Sequence, residues 1–168
     1  MKIGVLSDSH LKTSLHEEAI RHLMAEGAEY LLHAGDLELT EHLESLAATG
    51  LPYVCVYGNN DTRLIPLYGR YPIYREPHYF TINELKIKMM HMPYYLTPDA
   101  DIVISGHTHK FEARRIGETL FLNPGEVCAR EKDLSECAIV QIDGQSIDVI
   151  HYSRDPKSTE WNREKLTF

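Results

Sequence analysis

Cysteine occurs only three times in the 168 residues, at Cys55, Cys128 and Cys137, and never as C-x-x-C. That count excludes a fully paired disulfide framework and a thiolate-rich zinc knuckle; it suits reduced thiols buried as small apolar side chains. No window approaches the roughly 20 apolar residues of a membrane-spanning helix, and the apolar run after Lys2 already ends at Asp8. A cytoplasmic protein with no membrane partner is therefore expected. Basic residues are outnumbered, 17 against 25 acidic ones, for a formal charge of −8, and no basic run is longer than the pair Arg114 and Arg115. Without a basic face, bulk nucleic-acid binding is disfavoured. Low-complexity tracts and internal repeats are missing as well.

What is present reads as one domain over residues 1–168, with 43 % hydrophobic and 25 % charged residues, ordinary values for a globular chain. "KIGVLSD" is a strand ending in a polar loop. In "SLHEEAIRHLMAEG", Leu15, Ala19, Ile20, Leu23 and Met24 recur at helical spacing. "EYLLHAGD" is a second strand, "TEHLESLAATG" a second helix with Leu39, Leu43, Leu46 and Ala47 inward, and "PYVCVYGNND" a third strand. This β-α-β-α-β order implies parallel strands. After the Tyr/Pro-rich stretch from Leu67 to Tyr79 the chain turns mostly to β: "HYFTI", "LKIKMMHM", "DIVIS", "FEARRI", "TLFLN", "CAIVQI" and "SIDVIHY". Helices early and strands late predict an α/β fold of two packed sheets with helices outside. Residues 153–168, "SRDPKSTEWNREKLTF", are read as a frayed tail or a short helix packed through Trp161.

Polar residues with nitrogen or oxygen donor atoms recur at the ends of these strands. "SDSH" offers Asp8 and His10, "HAGD" Asp36, "GNND" Asn59, "MMHMP" His91, and "ISGHTH" the pair His107 and His109. Alternate residues share one side of an extended segment, so the last pair can face one object. Taken singly, each has an ordinary structural explanation: a helix cap, a left-handed turn beside glycine, or a hydrogen-bonded core histidine. Together, at the carboxyl ends of successive strands where ligands of open α/β sheets collect, they form a candidate metal site. Carboxylate, amide and imidazole donors without thiolate suit manganese, iron, zinc, cobalt or nickel. Seven donors exceed one tetrahedral ion and fit two.

The ordered set D-x-H, G-D, G-N-x-D, H and G-H-T-H, with "LFLNPG" from Leu120 to Gly125, resembles the calcineurin-like metallophosphoesterase superfamily, its small bacterial and archaeal phosphodiesterases in particular. The resemblance implies a four-layer αββα sandwich of two mixed sheets flanked by helices. It implies one divalent ion held by Asp8, His10, Asp36 and His109 and a second by Asp36, Asn59, His91 and His107, with Asp36 bridging. Manganese is the commonest metal, with nickel, iron, zinc, cobalt and magnesium as alternatives. The implied reaction is hydrolysis of a small-molecule phosphodiester by in-line attack of a metal-bridging hydroxide.

Three positions depart from the family pattern. Asn60 stands where many members have a histidine beside the leaving group; an amide donates a hydrogen bond but no proton, so activated diesters are the expected substrates. Met92 follows His91 where glycine is usual, and Glu126 follows "NPG" where serine is frequent. Both are expected to alter access without touching a donor. Asp61 is read as an outer support or turn residue, and His33 as either an outer support or a plain buried hydrogen-bond partner. His16, His22, His42, His78 and His151 are read as surface or packing residues. Tyr94 and Tyr95 are candidates for stacking on a base or aryl group, and Arg63 for meeting a phosphate. The rival readings are a non-catalytic protein-interaction scaffold on the same fold, as in the retromer subunit, and a phosphomonoesterase. An exposed strand edge in the late β region is compatible with a homo-oligomer.

Overall fold

The computed structural model describes residues 1–144 and 146–168. The first half alternates as expected: β1 (Lys2–Leu6), α1 (Thr13–Ala25), β2 (Tyr30–His33), α2 (Thr40–Ala48) and β3 (Tyr53–Val56). A 3-10 helix, Asp61–Leu67, leads to the two-residue β4 (Ile73–Tyr74). The second half is β: β5 (His78–Ile82), β6 (Leu85–Met89), β7 (Ile102–Ile104), β8 (Phe111–Ile116), β9 (Thr119–Pro124), β10 (Ser135–Asp143), β11 (Ser146–Arg154) and β12 (Asn162–Thr167).

These strands form two mixed sheets, one of seven strands ordered β12-β11-β10-β1-β2-β3-β4 and one of five ordered β5-β6-β7-β9-β8. β1 to β4 run parallel, as do β6, β7 and β9, while the outer strands β10, β11 and β12, and likewise β5 and β8, join antiparallel. The period of two in the strands divides the core. Ile3, Val5, Leu32 and Val56 of the larger sheet meet Ile87, Met89, Ile102 and Leu122 of the smaller one. On the larger sheet's other face, Leu6, Leu31 and Cys55 pack against Ala19, Ile20 and Leu23 of α1 and Leu43 and Leu46 of α2.

The helix faces depart from the expected ones at a few positions. His16 and His42 are fully buried while Met24 and Ala47 are exposed. His16 gains this place by hydrogen bonding: its Nδ1 lies 2.7 Å from Ser9 Oγ and its ring stacks on His42 at 4.2 Å. On the outer face of the smaller sheet, Met90, Ala100, Val103 and Phe121 form a small cluster of their own. There the segment after His91 folds back as a loop. Lys88, buried on that face, ties the loop down through Thr97 Oγ1 at 2.7 Å and Asp99 Oδ1 at 2.9 Å.

The reading of residues 153–168 is corrected. Ser153 and Arg154 complete β11, and Asn162–Thr167 form β12 on the edge of the larger sheet, antiparallel to β11. Trp161 does pack, stacked on His22 at 4.5 Å with the Arg154 guanidinium 5.0 Å from its ring, and Lys165 reaches Asp148 at 2.8 Å. An edge strand with nearly every side chain in solvent carries no apolar alternation, so its sequence does not announce it.

Candidate metal centre

Six loops converge between the two sheets, each following the carboxyl end of a parallel strand. Those after β1, β2 and β3 bring Asp8, His10, Asp36 and Asn59; those after β6, β7 and β9 bring His91, His107, His109 and Glu126. Carboxyl ends of parallel strands collect ligands because loops, and not further ladder, begin there. The turns are sharp: Asp8, His10, Asp36, His107 and His109 all have positive φ, between 46° and 66°. Such conformations cost on the order of 1 kcal/mol or more each for a residue with a Cβ, and persist only where surroundings enforce them. Here the Asp8 amide donates to the Gly35 carbonyl at 3.0 Å, the His10 amide to the Asp36 carbonyl at 2.9 Å, and the His107 amide to Asp8 Oδ2 at 3.0 Å.

Two glycines let the loops close this tightly. A Cβ on Gly58 would lie 2.1 Å from Asp36 Oδ1, and one on Gly106 would lie 2.1 Å from Ser7 Oγ and 2.7 Å from the Ala34 carbonyl. Any side chain at either position would push apart the loops that carry the donors.

One group of donor atoms consists of Asp8 Oδ1, His10 Nε2 and His109 Nε2. His109 Nε2 stands 3.2 Å from Asp8 Oδ1 and 3.4 Å from His10 Nε2, and His10 Nε2 stands 3.9 Å from Asp8 Oδ1. Beside it, His91 Nε2 lies 3.4 Å from Asp36 Oδ2 and 3.0 Å from Asn59 Oδ1. Asp36 Oδ2 is also 3.8 Å from His10 Nε2, so this carboxylate lies between the groups. Ligands each about 2.0–2.2 Å from a common ion stand about 3–3.6 Å apart, the spacing most of these atoms approach. His107 is half-buried, with its ring edge-on to His91 at 5.2 Å.

The imidazoles are aimed inward by what holds their other nitrogen. His10 Nδ1 lies 2.6 Å from Glu38 Oε1, His109 Nδ1 2.5 Å from Glu126 Oε2, and His91 Nδ1 2.8 Å from the Ala34 carbonyl. With the proton on Nδ1 each Nε2 lone pair faces the centre, the arrangement metal-ligating histidines adopt. Asp8 Oδ1 is buried without a hydrogen bond, an orphan acceptor that a cation would satisfy. Among the described residues no lysine or arginine pairs with Asp8, Asp36 or Asp61. The donor set thus fits divalent metal.

Proton occupancy follows the same geometry. Burial opposes charge on Asp36, yet His91 and the two Asn60 donors hold its carboxyl far below the usual range. Burial likewise opposes charge on His109, but the neighbouring Asp8, Cys128 and Glu126 outweigh it and push the imidazolium up to about 11. His91 is raised too: burial lowers it, and Asp36 and Asp8 more than compensate. The carboxylates beside His91 and His109 thus favour the protonated imidazoles.

Asp61 supports the second group without facing it. Its Oδ2 accepts from the amides of Asp36 at 2.9 Å and Gly58 at 2.7 Å, and its Oδ1 from the amide of Glu38 at 2.6 Å. Burial raises its pKa against those bonds. His33 bonds Ser9 Oγ at 2.7 Å, and burial lowers its pKa. Asn60 meets Asp36: its backbone amide donates to Asp36 Oδ1 at 2.9 Å and its Nδ2 to Asp36 Oδ2 at 2.7 Å, a clamp on that carboxylate. Glu126 is also corrected, since it touches His109 directly; its other oxygen accepts from the amides of Glu131 at 2.6 Å and Lys132 at 3.1 Å. Arg63, Tyr94 and Tyr95 are exposed.

Three residues here escaped the sequence reading. Glu38 had no motif to mark it. Cys128, buried, comes within reach of His10 and His109, with its thiol 3.2 Å from Glu126 Oε2. Arg130 places Nη2 3.2 Å from His109 Nε2.

Compared with known proteins, residues 1–145 match the family model described as the calcineurin-like phosphoesterase superfamily domain. A probable metallophosphoesterase of Methanothermobacter thermautotrophicus is 32 % identical over 166 residues, 88 % of this chain and 90 % of that protein. Phosphodiesterase MJ0936 of Methanocaldococcus jannaschii is 29 % identical over 144 residues, 76 % of this chain and 85 % of that protein. Among solved structures, Vps29 of Entamoeba histolytica complexed with zinc has a TM-score of 0.78 at 22 % identity, covering 99 % of both chains. A novel archaeal phosphodiesterase has a TM-score of 0.74 at 24 % identity, covering 99 % of this chain and 100 % of that one. These two structural likenesses carry the fold alone.

Proposed function

The chain belongs to the calcineurin-like phosphoesterase superfamily, and from that premise we propose that it is a metal-dependent phosphodiesterase acting on a small phosphodiester. The observation that carries the reading is the position of Asp36, whose Oδ2 lies 3.8 Å from His10 Nε2 on one side and 3.4 Å from His91 Nε2 on the other. A single carboxylate thus serves two groups of donors. Asp8, His10, Asp36 and His109 would hold one divalent ion and Asp36, Asn59, His91 and His107 a second. Manganese is the first choice, with nickel, iron, zinc, cobalt and magnesium as alternatives. When bound, the pair supplies Lewis-acid polarisation of the phosphoryl group and activates water near neutral pH.

The chain's own side chains explain why no protein nucleophile is needed. Ser7 Oγ is committed to Asp8 at 2.6 Å, and Ser9 Oγ to His16 and His33. Asn60 steadies Asp36 but has no proton to give at neutral pH, so esters with alkoxide leaving groups react slowly and aryl esters fast. The three buried free thiols support a reducing, cytoplasmic setting. No helix among the described residues is long and apolar enough to cross a membrane. The open edges of β12 and β8 leave room for a homo-oligomer.

The test is metal analysis of the purified protein, followed by manganese-dependent cleavage of bis(p-nitrophenyl) phosphate, with Asp36→Asn as the control. Hydrolysis lost in that variant supports the proposal. Metal bound without turnover favours the second reading, an interaction scaffold, for which the likeness to Vps29 is the motive. Faster cleavage of p-nitrophenyl phosphate than of the diester would make it a monoesterase.

A further inference from the structure

The open edges of the two sheets are not equivalent. β8 is the last strand of the five-stranded sheet, hydrogen-bonded only to β9, and Glu112, Arg114, Arg115 and Ile116 on it are exposed. Ile116 and Thr119 flank a two-residue turn, so they exchange the hydrogen bonds that close the hairpin. Alternation then turns the backbone of Arg114 and Glu112 toward β9 and leaves the N–H and C=O of Phe111, Ala113 and Arg115 facing outward. Pro124, which has no N–H to give, stands opposite Phe111, in keeping with that alternation. Among the described residues none of the outward groups has another backbone partner.

A strand that pairs antiparallel with its own copy does so about a two-fold axis, where one residue faces itself. Centred on Ala113, β8 sets a small residue against itself, Glu112 against the partner's Arg114, Arg114 against the partner's Glu112, and Phe111 against the partner's Arg115. Opposite charges directly across a ladder stabilise it. Centred one residue either way, Glu112 or Arg114 would face its own like charge. The two charged ends are already presented together: Arg114 Nε lies 3.1 Å from Glu112 Oε1 along the strand. β12 has no such register. A copy centred on Glu164 or Lys165, the middle of that strand, sets the residue against itself, and about Glu164 also Arg163 against the partner's Lys165. Like charges guard that edge. β5 carries no carboxylate, lysine or arginine to fix a register, and its Tyr79 hydroxyl is tied to Asp99 at 2.8 Å.

We propose that β8 is a docking edge for a second copy of this chain, paired antiparallel about a two-fold axis at Ala113, so that two five-stranded sheets join into one. Phe111, Ala113 and Arg115 of each copy donate and accept one backbone hydrogen bond apiece across the axis. Glu112 and Arg114 of both copies form a four-member ion network on the outer face, and this charge pattern selects the register. The inference is independent of the catalytic reading, since it uses none of the candidate donors.

Sedimentation velocity of the full chain from about 1 to 200 µM reads the equilibrium, expected to have a Kd on the order of 10 µM because one strand edge is a small interface. Glu112→Arg alone and Arg114→Glu alone each set like charges across both pairs, and each should weaken the dimer at least about tenfold. The double exchange, Glu112→Arg with Arg114→Glu, should restore it, because both pairs are rebuilt in reverse. An equal mixture of the two single variants should associate as a heterodimer for the same reason. Glu164→Arg on β12 should change nothing. All three side chains are exposed, so circular dichroism and thermal melting of the variants should match the parent chain. A chain that stays monomeric over the whole range overturns the proposal, and a dimer indifferent to the single variants, or weakened by Glu164→Arg, removes it from β8. Single variants that dissociate without rescue by the double exchange or by mixing refute the register at Ala113.

Discussion

The two groups of donors on either side of Asp36 share histidines but hold them differently. His10 and His109 each turn Nδ1 to a carboxylate, Glu38 at 2.6 Å and Glu126 at 2.5 Å. His91 turns Nδ1 to the neutral Ala34 carbonyl at 2.8 Å, and its neighbour donor is the neutral amide of Asn59. An anion behind an imidazole makes Nε2 the stronger donor. On the proposed two-ion reading, the first group would be the tighter cation site and the second would fill at higher metal concentration. Histidine in both groups does not make identical sites; the atoms behind each imidazole set the difference.

Asp36→Asn should break the comparison altogether, because it weakens the member both groups share and leaves Asn60 clamping a neutral amide. A loss of activity on the order of 10³-fold is expected, with metal analysis showing less than one ion per chain. Retention of two ions would refute the bridging position. Acidity sharpens the comparison next. His109 is raised to about 11, so in metal-free protein at neutral pH it carries a proton that an incoming ion must displace. Affinity at the first group should consequently fall by up to about tenfold per unit as pH drops from 8 to 6, with proton release recorded by calorimetry in buffers of different ionisation enthalpy. A flat profile would mean that His109 is not a ligand.

Glu126→Gln keeps the shape and the hydrogen-bond acceptor for His109 while removing the charge. It should weaken the first, tight binding step by about 10- to 100-fold and leave the second step in place, erasing much of the asymmetry. Unchanged stepwise constants would show that the carboxylate contributes no electronic effect. The smallest expected effect is that of Asn60→His, a gain of about tenfold confined to esters with poor leaving groups, read as the ratio of alkyl to aryl ester hydrolysis. If that ratio stays fixed, Asn60 acts only as the clamp on Asp36 that its hydrogen bonds describe.

The elements around the centre were legible for a local reason. Each donor follows an apolar strand in a short polar turn, so strand, turn and donor lie within a few residues, as in "HAGD" and "SGHTH". Helix positions were less so: periodicity admits His16 or Met24 to the inward face of α1, and only Ser9 and His42 across the packing decide for His16. The strand β12 was hidden because an edge strand exposed on nearly every position carries no alternation to detect. Glu126 could be seen as unusual after "NPG", but not as a partner of His109.

By itself, then, the sequence determined the kinds of donor, their order along the chain, the alternation that builds parallel strands, and the family those features mark. Only the tertiary structure decided what stands behind each imidazole, which way Asn60 points, and which strands end up at the edges of the sheets. The physical reason is separation. Glu38 reaches His10 across 28 residues and Glu126 reaches His109 across 17, contacts that exist only after β1 has paired with β2 and β7 with β9 and that leave no periodic trace along the chain.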